Sequence, residues 1–321
     1  RLFPDVDYMR LSYFLLRCCL SLFFGPLPSF TCRIPHHRVS QISHKLTMSD
    51  TTSCEAGESL APEVKGDEHT KKIQPFWERR GRLIGEGPLE EAKAMLLDDD
   101  AERYYEEEAL IMIKAIKASM ALANGGDAGR DGDASMHTAV ELGSGCGRIT
   151  TRLAPLVKDR LHAVELVEEF AKRCEANCLA LGLRNVVVHN KDACTFEWPE
   201  ELDLVLFKWV LMYVSDEQAV ALIERACENL KPGGVIVLQE CCSRTGYLRW
   251  SDVSWSDDPV ELDDYAANYR PLSWYLDKLN ATGKGRVVQE SYELDETVFV
   301  DYYKLYPKDP NCQPIITWVK G

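Results

Sequence analysis

Three glycines at residues 143, 145 and 147 place the strongest constraint on how this 321-residue chain can fold. They follow an apolar run, residues 138–142, that is typical of a buried strand, and a helix-like segment comes after them. Glycines at this spacing allow a sharp turn in which the backbone approaches a ligand closely, and the start of a helix offers free N–H groups. The segment therefore predicts a strand, a ligand-binding loop and a helix.

Apolar runs and helix-like segments alternate from this loop to about residue 239. We predict further strands and helices, in chain order a helix at 148–157, a strand at 161–166, a helix at 167–181, strands at 185–189 and 203–207, a helix at 216–230, a turn at 231–234 and a strand at 235–239. Such alternation indicates a parallel sheet with helices on both faces. Two more strands, at 297–305 and 314–319, would form an antiparallel hairpin that closes the sheet. The predicted fold class is α/β, a Rossmann-like sheet.

The composition divides the chain near residue 70. Residues 1–70 are predicted to be an extension, because the stretch from 49 to 72 is polar and lacks periodicity, as disordered segments do. Residues 71–321 are predicted to form the folded domain, with helices at 89–97 and 101–120 in front of the sheet.

Two interpretations of residues 1–47 stay open. Residues 9–27 contain an apolar run interrupted by Arg17, which suits a secretory signal or an anchor. Alternatively, residues 1–47 are translated upstream sequence and Met48 is the working start. The apolar run is shorter than the roughly 20 residues that a membrane-spanning helix needs. We therefore expect a cytoplasmic protein whose folded domain does not insert stably into membranes.

Charge and cysteine content exclude several classes of protein. The net charge is −14, and residues 1–47 contribute +4, so the rest of the chain carries −18. A body this acidic repels phosphate backbones, so nucleic acid is not an expected partner. The twelve cysteines are irregularly spaced. That pattern suits free thiols in a reducing compartment and offers no zinc-ligand set, so no metal is expected.

Acidic residues accompany the ends of the first three predicted strands. Glu141 directly precedes the glycines, Glu165 ends the second strand and Asp192 follows the third. A carboxylate in the position of Glu165 can accept hydrogen bonds from both ribose hydroxyls, and Asp192 can reach an adenine amino group. The alternative for both is a solvated strand-end or turn carboxylate. Glu141 before the glycines, with Arg148 after them, favours S-adenosylmethionine over a dinucleotide.

Together the motifs VELGSGCGR, AVEL, DAC, DLVLFKWVLMYV and LKPGGVIVLQE resemble the class I S-adenosylmethionine-dependent methyltransferases, over roughly residues 135–240. The resemblance implies a seven-stranded sheet with a reversed final strand and S-adenosylmethionine as cosubstrate. Our candidate cofactor-binding residues are Glu141, Gly143, Gly145, Gly147, Glu165, Asp192, Ala193 and Lys208.

The flanking segments narrow the resemblance. FWERRGRLIGEGPLEEAKAMLLDDD, KWVLMYVSDEQ, NYRPLSWYLDKL and the closing YYKLYPKDPNCQPIITWVKG are similar to the phosphoethanolamine N-methyltransferases of plants and nematodes, over about residues 70–321. By these motifs the chain resembles the first, phosphoethanolamine-using domain of the plant enzymes. The resemblance implies methyl transfer to the amine of phosphoethanolamine, towards phosphocholine, and hence a small phosphobase as the partner molecule.

The same resemblance suggests acceptor-site residues. Tyr213 is the candidate catalytic residue, and its alternative is a packed aromatic ring. Tyr269 and Arg270 lie in a predicted substrate-lid insert, at about 241–285, and are candidates for the phosphate; the alternative for Arg270 is a surface ion pair. The weaker substrate-binding candidates are Phe76, Tyr275 and Tyr303. Phe76 departs from the family pattern, which has Tyr before this Trp.

Two rival functions remain. GRITTRLAPLV, VEEFAKR and the FW opening are also similar to the protein N-terminal α-amine methyltransferases. The second rival is a binding protein that keeps the methyltransferase fold without catalysis. The intact glycine loop and Glu165 argue against this second rival.

Overall fold

The computed structural model describes residues 68–96, 102–125, 136–243, 248–249, 267–291 and 311–321. All of them belong to one unit of the chain, Ala61–Gly321. No helix within these ranges combines the length and the apolar character needed to cross a membrane.

Helices and strands alternate through most of this unit. The helices are α1 Glu68–Arg82, α2 Pro88–Leu96, α3 Glu102–Ala123, α4 Thr150–Leu153, α5 Glu168–Ala180, α6 Asp216–Asn229 and α7 Leu272–Ala281, with 3-10 turns at Ala154–Leu156 and Leu211–Tyr213. The strands are β1 Met136–Leu142, β2 Val157–Glu165, β3 Val186–Asn190, β4 Leu202–Lys208, β5 Leu230–Gln239, β6 Cys242–Ser243, β7 Leu248–Arg249, β8 Asn268–Tyr269, β9 Gly285–Ser291, β10 Asn311–Cys312 and β11 Ile315–Lys320.

Seven of the strands form one mixed sheet in the order β3-β2-β1-β4-β5-β11-β9. Strands β1 to β5 are parallel, and β11 runs antiparallel to both β5 and β9. The predicted Rossmann-like α/β class, with seven strands and a reversed last strand, is confirmed. The chain order reverses between β1 and β4, and ligands of such sheets bind in the crevice outside the carboxyl ends of the strands at that point.

The core lies on both faces of the sheet, which explains why β4 is apolar almost throughout. Val205 and Phe207 pack on the α6 and α7 side, and Leu204 and Leu206 pack on the α3 and α4 side. Successive side chains of a strand point to opposite faces, so a sheet covered on both faces needs apolar residues at every position. Burial of each such Leu or Phe side chain stabilises the folded state by about 1.5–3 kcal/mol.

Three local predictions need correction. Helix α1 begins at Glu68 and covers a segment for which we predicted no helix; burial of Ile73 and Phe76 stabilises it despite its weak local preference and an internal Pro75. The predicted helix at 148–157 ends early, because Pro155 cannot donate a helical hydrogen bond, and β2 begins at Val157.

The predicted turn at 231–234 lies inside β5. Gly233 has a φ of +76°, and the register against β4 shifts between Leu202 and Leu204, so the turn residues form an irregular start of the strand. The final strand is confirmed, but its partner is β9, which holds only two apolar residues and escaped prediction. The expected strand at 297–305 lies outside the described residues.

Candidate active site

A cavity lies at the carboxyl ends of β1, β2 and β4. Its floor is the loop after β1, and the residues that follow β2, β3 and β4 form its walls. Trp77 of α1 and Met95 of α2 line a further side. The cavity therefore lies where the sheet topology places a ligand site.

The glycine loop has a backbone that few other residues could adopt. Gly143, Gly145 and Gly147 have φ values of +71°, +55° and +85°. A Cβ on Gly143 would lie 2.4 Å from Val210 Cγ2, and one on Gly147 would lie 2.8 Å from Cys174 Sγ. The N–H groups of Gly143 and its neighbour donate to the carbonyl oxygen of Val164 at 2.8 and 3.1 Å, which ties the loop to β2. Gly143 lines the cavity, whereas Gly145 and Gly147 shape the turn behind it.

Glu165 lines the same cavity from the end of β2 and is 8% exposed. Its Oε2 accepts the N–H of Gly145 at 2.9 Å, and its Oε1 accepts the N–H of Val167 at 2.8 Å. Burial raises the pKa of this carboxyl. An ionised carboxylate has about four acceptor positions, so it can still accept ribose hydroxyls.

Glu141 and Ser144 bring polar atoms to the glycine loop. Glu141 lines the cavity, accepts a hydrogen bond from Thr150 Oγ1 at 2.7 Å, and has its pKa raised to about 7 by burial. The hydroxyl of Ser144 also lines the cavity and is buried without a hydrogen-bond partner among the described residues. A buried polar atom of this kind is costly unless a ligand satisfies it. These residues fit the charged amino-acid end of S-adenosylmethionine.

Asp192 and Ala193 line the cavity after β3. The Oδ1 of Asp192 accepts the N–H of Cys194 at 2.8 Å, which fixes the turn. The exposed Lys191 lines the cavity beside them and forms no ion pair with any described residue. This wall therefore offers one acceptor and one cation.

Lys208 lines the cavity, but its ammonium is committed to a buried ion pair. Its Nζ donates to Glu108 Oε1 of α3 and to Gln239 Oε1, both at 2.7 Å. Arg148 Nη1 donates to Glu108 Oε2 at 2.6 Å. Burial lowers the pKa of Lys208 to about 8, and although burial alone would raise the pKa of Glu108, the two cations hold it below its usual value. The network ties α3 to the end of β4.

Aromatic rings form the side of the cavity next to β4. The rings of Trp77 and Tyr213 meet edge to face with their centroids 5.5 Å apart. Trp209 has a φ of +54°, which a bulky residue rarely adopts, and its indole Nε1 is buried without a hydrogen-bond partner among the described residues. All three residues line the cavity. We call this face the aromatic corner.

The structure does not bring the other predicted substrate residues to the cavity. Phe76 and Tyr269 pack in a buried cluster behind the aromatic corner, and Tyr275 lies in the main core. Arg270, predicted as a phosphate ligand with a surface ion pair as the alternative, is fully buried, and its guanidinium donates to carbonyl oxygens of the loop after β4. Tyr303 lies outside the described residues.

Within the described ranges, no group of three or more His, Cys, Asp or Glu side chains could hold a metal ion.

Comparisons with known proteins agree on the type of fold and cofactor. A family model described as an AdoMet-dependent proline di-methyltransferase matches residues 112–265. Phosphoethanolamine N-methyltransferase 1 of Caenorhabditis elegans is 30% identical over 142 residues, which are 44% of this chain and 29% of that protein. N-terminal Xaa-Pro-Lys N-methyltransferase 1 of Xenopus tropicalis is 30% identical over 125 residues, which are 37% of this chain and 51% of that protein. The chain thus spans at most about half the length of these relatives.

Two solved structures share the architecture. Phosphoethanolamine N-methyltransferase 1 of Haemonchus contortus, in complex with phosphoethanolamine and S-adenosylhomocysteine, has a TM-score of 0.53 and 21% identity, covering 79% of this chain and 49% of that one. A Leishmania major S-adenosylmethionine-dependent methyltransferase has a TM-score of 0.54 and 18% identity, covering 80% and 87%.

The chain has the fold of an S-adenosylmethionine-dependent methyltransferase, and its cofactor is S-adenosylmethionine.

Several residues that line the cavity or support its walls were not predicted from the sequence. Ser144 lies between two glycines of the loop, where no signal marks a small polar residue as functional. Met95 and Glu108 lie on helices far along the chain from the loop that they reach. Trp77 belongs to the FW opening segment, so its aromatic character was a usable signal. Glu240 ends the segment LKPGGVIVLQE, but that segment does not predict its burial or its bonds to the loop after β4.

Proposed function

We propose that this methyltransferase transfers methyl groups from S-adenosylmethionine to a primary amine, and that the amine is phosphoethanolamine. The observation that carries the proposal is the pairing of two features in one cavity. The glycine loop and Glu165 lie on one side, and the aromatic corner lies beside them. The glycine loop and Glu165 suit the methyl donor, and the aromatic corner suits an amine that gains methyl groups.

The donor side can be assigned residue by residue. We assign Glu141 to the amino group of S-adenosylmethionine and the Ser144 hydroxyl, which is buried without a partner among the described residues, to its carboxylate. Glu165 is assigned to the ribose hydroxyls, and Asp192 with Ala193 to the adenine. S-adenosylmethionine itself supplies an activated methyl group on a sulfonium.

The acceptor side has to align a neutral amine with that methyl group. Positioning of this kind can contribute up to about 7–11 kcal/mol in well-oriented systems. We assign Tyr213 the role of orienting the amine and accepting a hydrogen bond from it, because its ring faces the cavity beside Trp77 and Trp209. Lys208 Nζ already lies over the Trp209 ring, 3.7 Å from its centroid, so we assign the indole of Trp77 to a methylated ammonium product.

Phosphoethanolamine is supported by the extent of the resemblance, which covers the flanks as well as the core. The nematode relatives support it also, since phosphoethanolamine is bound in one of their structures.

A second candidate acceptor is the α-amine of a peptide. The burial of Arg270 favours it, because the cation expected to bind phosphate is committed elsewhere. The family match and the frog relative point the same way. The charge of −18 outside residues 1–47 also suits a basic peptide.

A methyl-acceptor screen tests the proposal. The purified chain is incubated with radiolabelled S-adenosylmethionine and either phosphoethanolamine or a peptide with a free Xaa-Pro-Lys N-terminus. Ethanolamine and the acetylated peptide are the matched controls. We expect label in phosphoethanolamine and none in ethanolamine. Label in the free peptide alone would replace phosphoethanolamine with the peptide amine, and binding of S-adenosylhomocysteine without transfer to any amine would favour a non-catalytic binding protein.

A further inference from the structure

We propose that Glu240 and Arg270 are positioning residues that hold the acceptor loop, residues 209–214, from its two sides and so set the places of Trp209 and Tyr213 in the cavity. The inference rests on the proposed function, because it gives this loop the task of placing the acceptor amine. Neither residue lines the cavity.

Glu240 holds the N–H side of the acceptor loop. It follows β5 directly and is fully buried. Its Oε1 accepts the N–H groups of Val210 and Leu211, both at 2.9 Å, and its Oε2 accepts the N–H of Met212 at 3.3 Å. Successive N–H groups at the start of a short turn lack partners of their own, and a buried carboxylate is tolerated only where such donors surround it.

Arg270 holds the carbonyl side of the same loop. Its side chain is fully buried, and it donates to the carbonyl oxygens of Leu211 at 2.5 Å and Val214 at 2.8 Å. Its Nε donates to Asp216 Oδ1 at 2.8 Å, just beyond the loop. A planar guanidinium fixes several acceptors at once, which an ammonium cannot do.

The loop needs this support because it begins with a strained residue. Trp209 has a φ of +54°, where its Cβ is crowded by the backbone. Its N–H donates to the carbonyl oxygen of Gln239 at 3.0 Å, so the chain is pinned on both sides of the strain. Such conformations persist when the surrounding structure over-determines them, and they gather at functional sites.

The hydrogen bonds that hold the donor side of the cavity are separate from those of Glu240 and Arg270, although Gly143 packs against Val210 of the acceptor loop. The glycine loop is tied to Val164 and Glu165, not to Glu240 or Arg270. Weakening the support of the acceptor loop should therefore impair methyl transfer more than cofactor binding.

The test uses Glu240→Gln and Arg270→Lys, with Asp216→Asn as a milder third variant. The matched control is Asp203→Asn, because Asp203 is also a buried carboxylate that accepts two backbone N–H groups, those of His137 and Thr138, at the opposite edge of the sheet. Hydrogen exchange followed by mass spectrometry reports the amides of 209–214 and of the glycine loop. Calorimetry with S-adenosylhomocysteine and steady-state kinetics complete the comparison.

We expect exchange in 209–214 to accelerate about tenfold in Glu240→Gln, the equivalent of one weakened charge-assisted hydrogen bond, with the glycine loop unchanged. The kcat should fall about tenfold, while the affinity for S-adenosylhomocysteine stays within about threefold. Asp203→Asn should leave exchange in 209–214 as in the wild type. If Glu240→Gln does not fold, Arg270→Lys and Asp216→Asn must show the same pattern.

Unchanged exchange in 209–214 would overturn the proposal. So would an Arg270→Lys variant that raises only the KM for phosphoethanolamine, because that result would make Arg270 a phosphate ligand. The exchange measurement needs no acceptor. It therefore still tests the positioning role if the wild type transfers methyl to none of the amines, an outcome that would refute the proposed function alone.

Discussion

The donor side and the acceptor side of the cavity are built by different means. The donor side comes from one stretch of chain, residues 141–193. Its loop is held by backbone hydrogen bonds, and glycines occupy the positions with a positive φ. The acceptor side joins Trp77 to Tyr213 and depends on Glu240 and Arg270, which lie far apart in sequence. On the acceptor side the residue with a positive φ is Trp209.

The difference has a physical consequence. A glycine adopts a positive φ without steric cost, so the donor loop needs little support beyond its own residues. Trp209 has a Cβ, so its conformation depends on a network of buried charges. Mutations on the donor side should therefore affect binding of the cofactor, and mutations on the acceptor side should affect the rate of transfer.

The largest effect is expected for Glu165→Ala. This change removes a carboxylate that fixes the N–H groups of Gly145 and Val167 and that we assign to the ribose. The dissociation constant for S-adenosylhomocysteine should rise about 10- to 100-fold, as calorimetry can measure. The control is Glu168→Ala, an exposed residue paired with Lys172, which should bind like the wild type. Equal affinity in both variants would break the assignment of Glu165.

A second comparison separates backbone strain from crowding in the glycine loop. Gly147 and Gly182 both have a positive φ, but a Cβ would meet Cys174 only at Gly147. Gly182→Ala should lower the free energy of unfolding by about 1–2 kcal/mol, and Gly147→Ala should lower it further and weaken S-adenosylhomocysteine binding. Denaturant unfolding and calorimetry measure both. Identical losses would mean that the contact with Cys174 is unimportant.

On the acceptor side, Tyr213→Phe removes one hydroxyl and keeps the ring beside Trp77. We expect kcat to fall about tenfold, because orientation of the amine by one hydrogen bond is lost, and cofactor affinity to stay within about twofold. Initial rates at saturating S-adenosylmethionine and calorimetry test this. A normal kcat would remove Tyr213 from the proposed mechanism.

The smallest expected effect is a pH dependence of the unfolding free energy that comes from Glu141. Burial raises the pKa of Glu141 to about 7, so the folded protein holds this proton more tightly than the unfolded chain. The stability contributed by Glu141 is full below its usual pKa of 4.5 and is lost as the pH rises to about 7. Relative to Glu141→Gln, the wild type should lose at least about 1 kcal/mol of unfolding free energy between pH 5 and pH 7.5. Urea titrations at each pH give the unfolding free energies. If those of the wild type and Glu141→Gln change with pH by the same amount, the assignment of this effect to Glu141 is wrong.

Structure that depends on adjacent residues could be predicted from the sequence. The glycine loop and the strands around it have a local period and spacing that predict the sheet and the place of the cofactor. Arg270 illustrates the limit, because its partners, Leu211, Val214 and Asp216, lie more than fifty residues earlier. A motif indicates that an arginine is present, but burial and partners depend on how distant segments pack. Helix α1 escaped prediction for the same reason, since its buried face forms only against the sheet domain.

A crystal structure of the protein with S-adenosylhomocysteine would show whether the cofactor binds between the glycine loop and Glu165. We expect the amino-acid end of the ligand to lie against Gly143 and Ser144. The ribose hydroxyls should lie within hydrogen-bond distance of Glu165, about 2.7–3.2 Å. The sulfur should face Trp209 and Tyr213. A ligand bound elsewhere, or a ribose that leaves Glu165 without contact, would contradict the account.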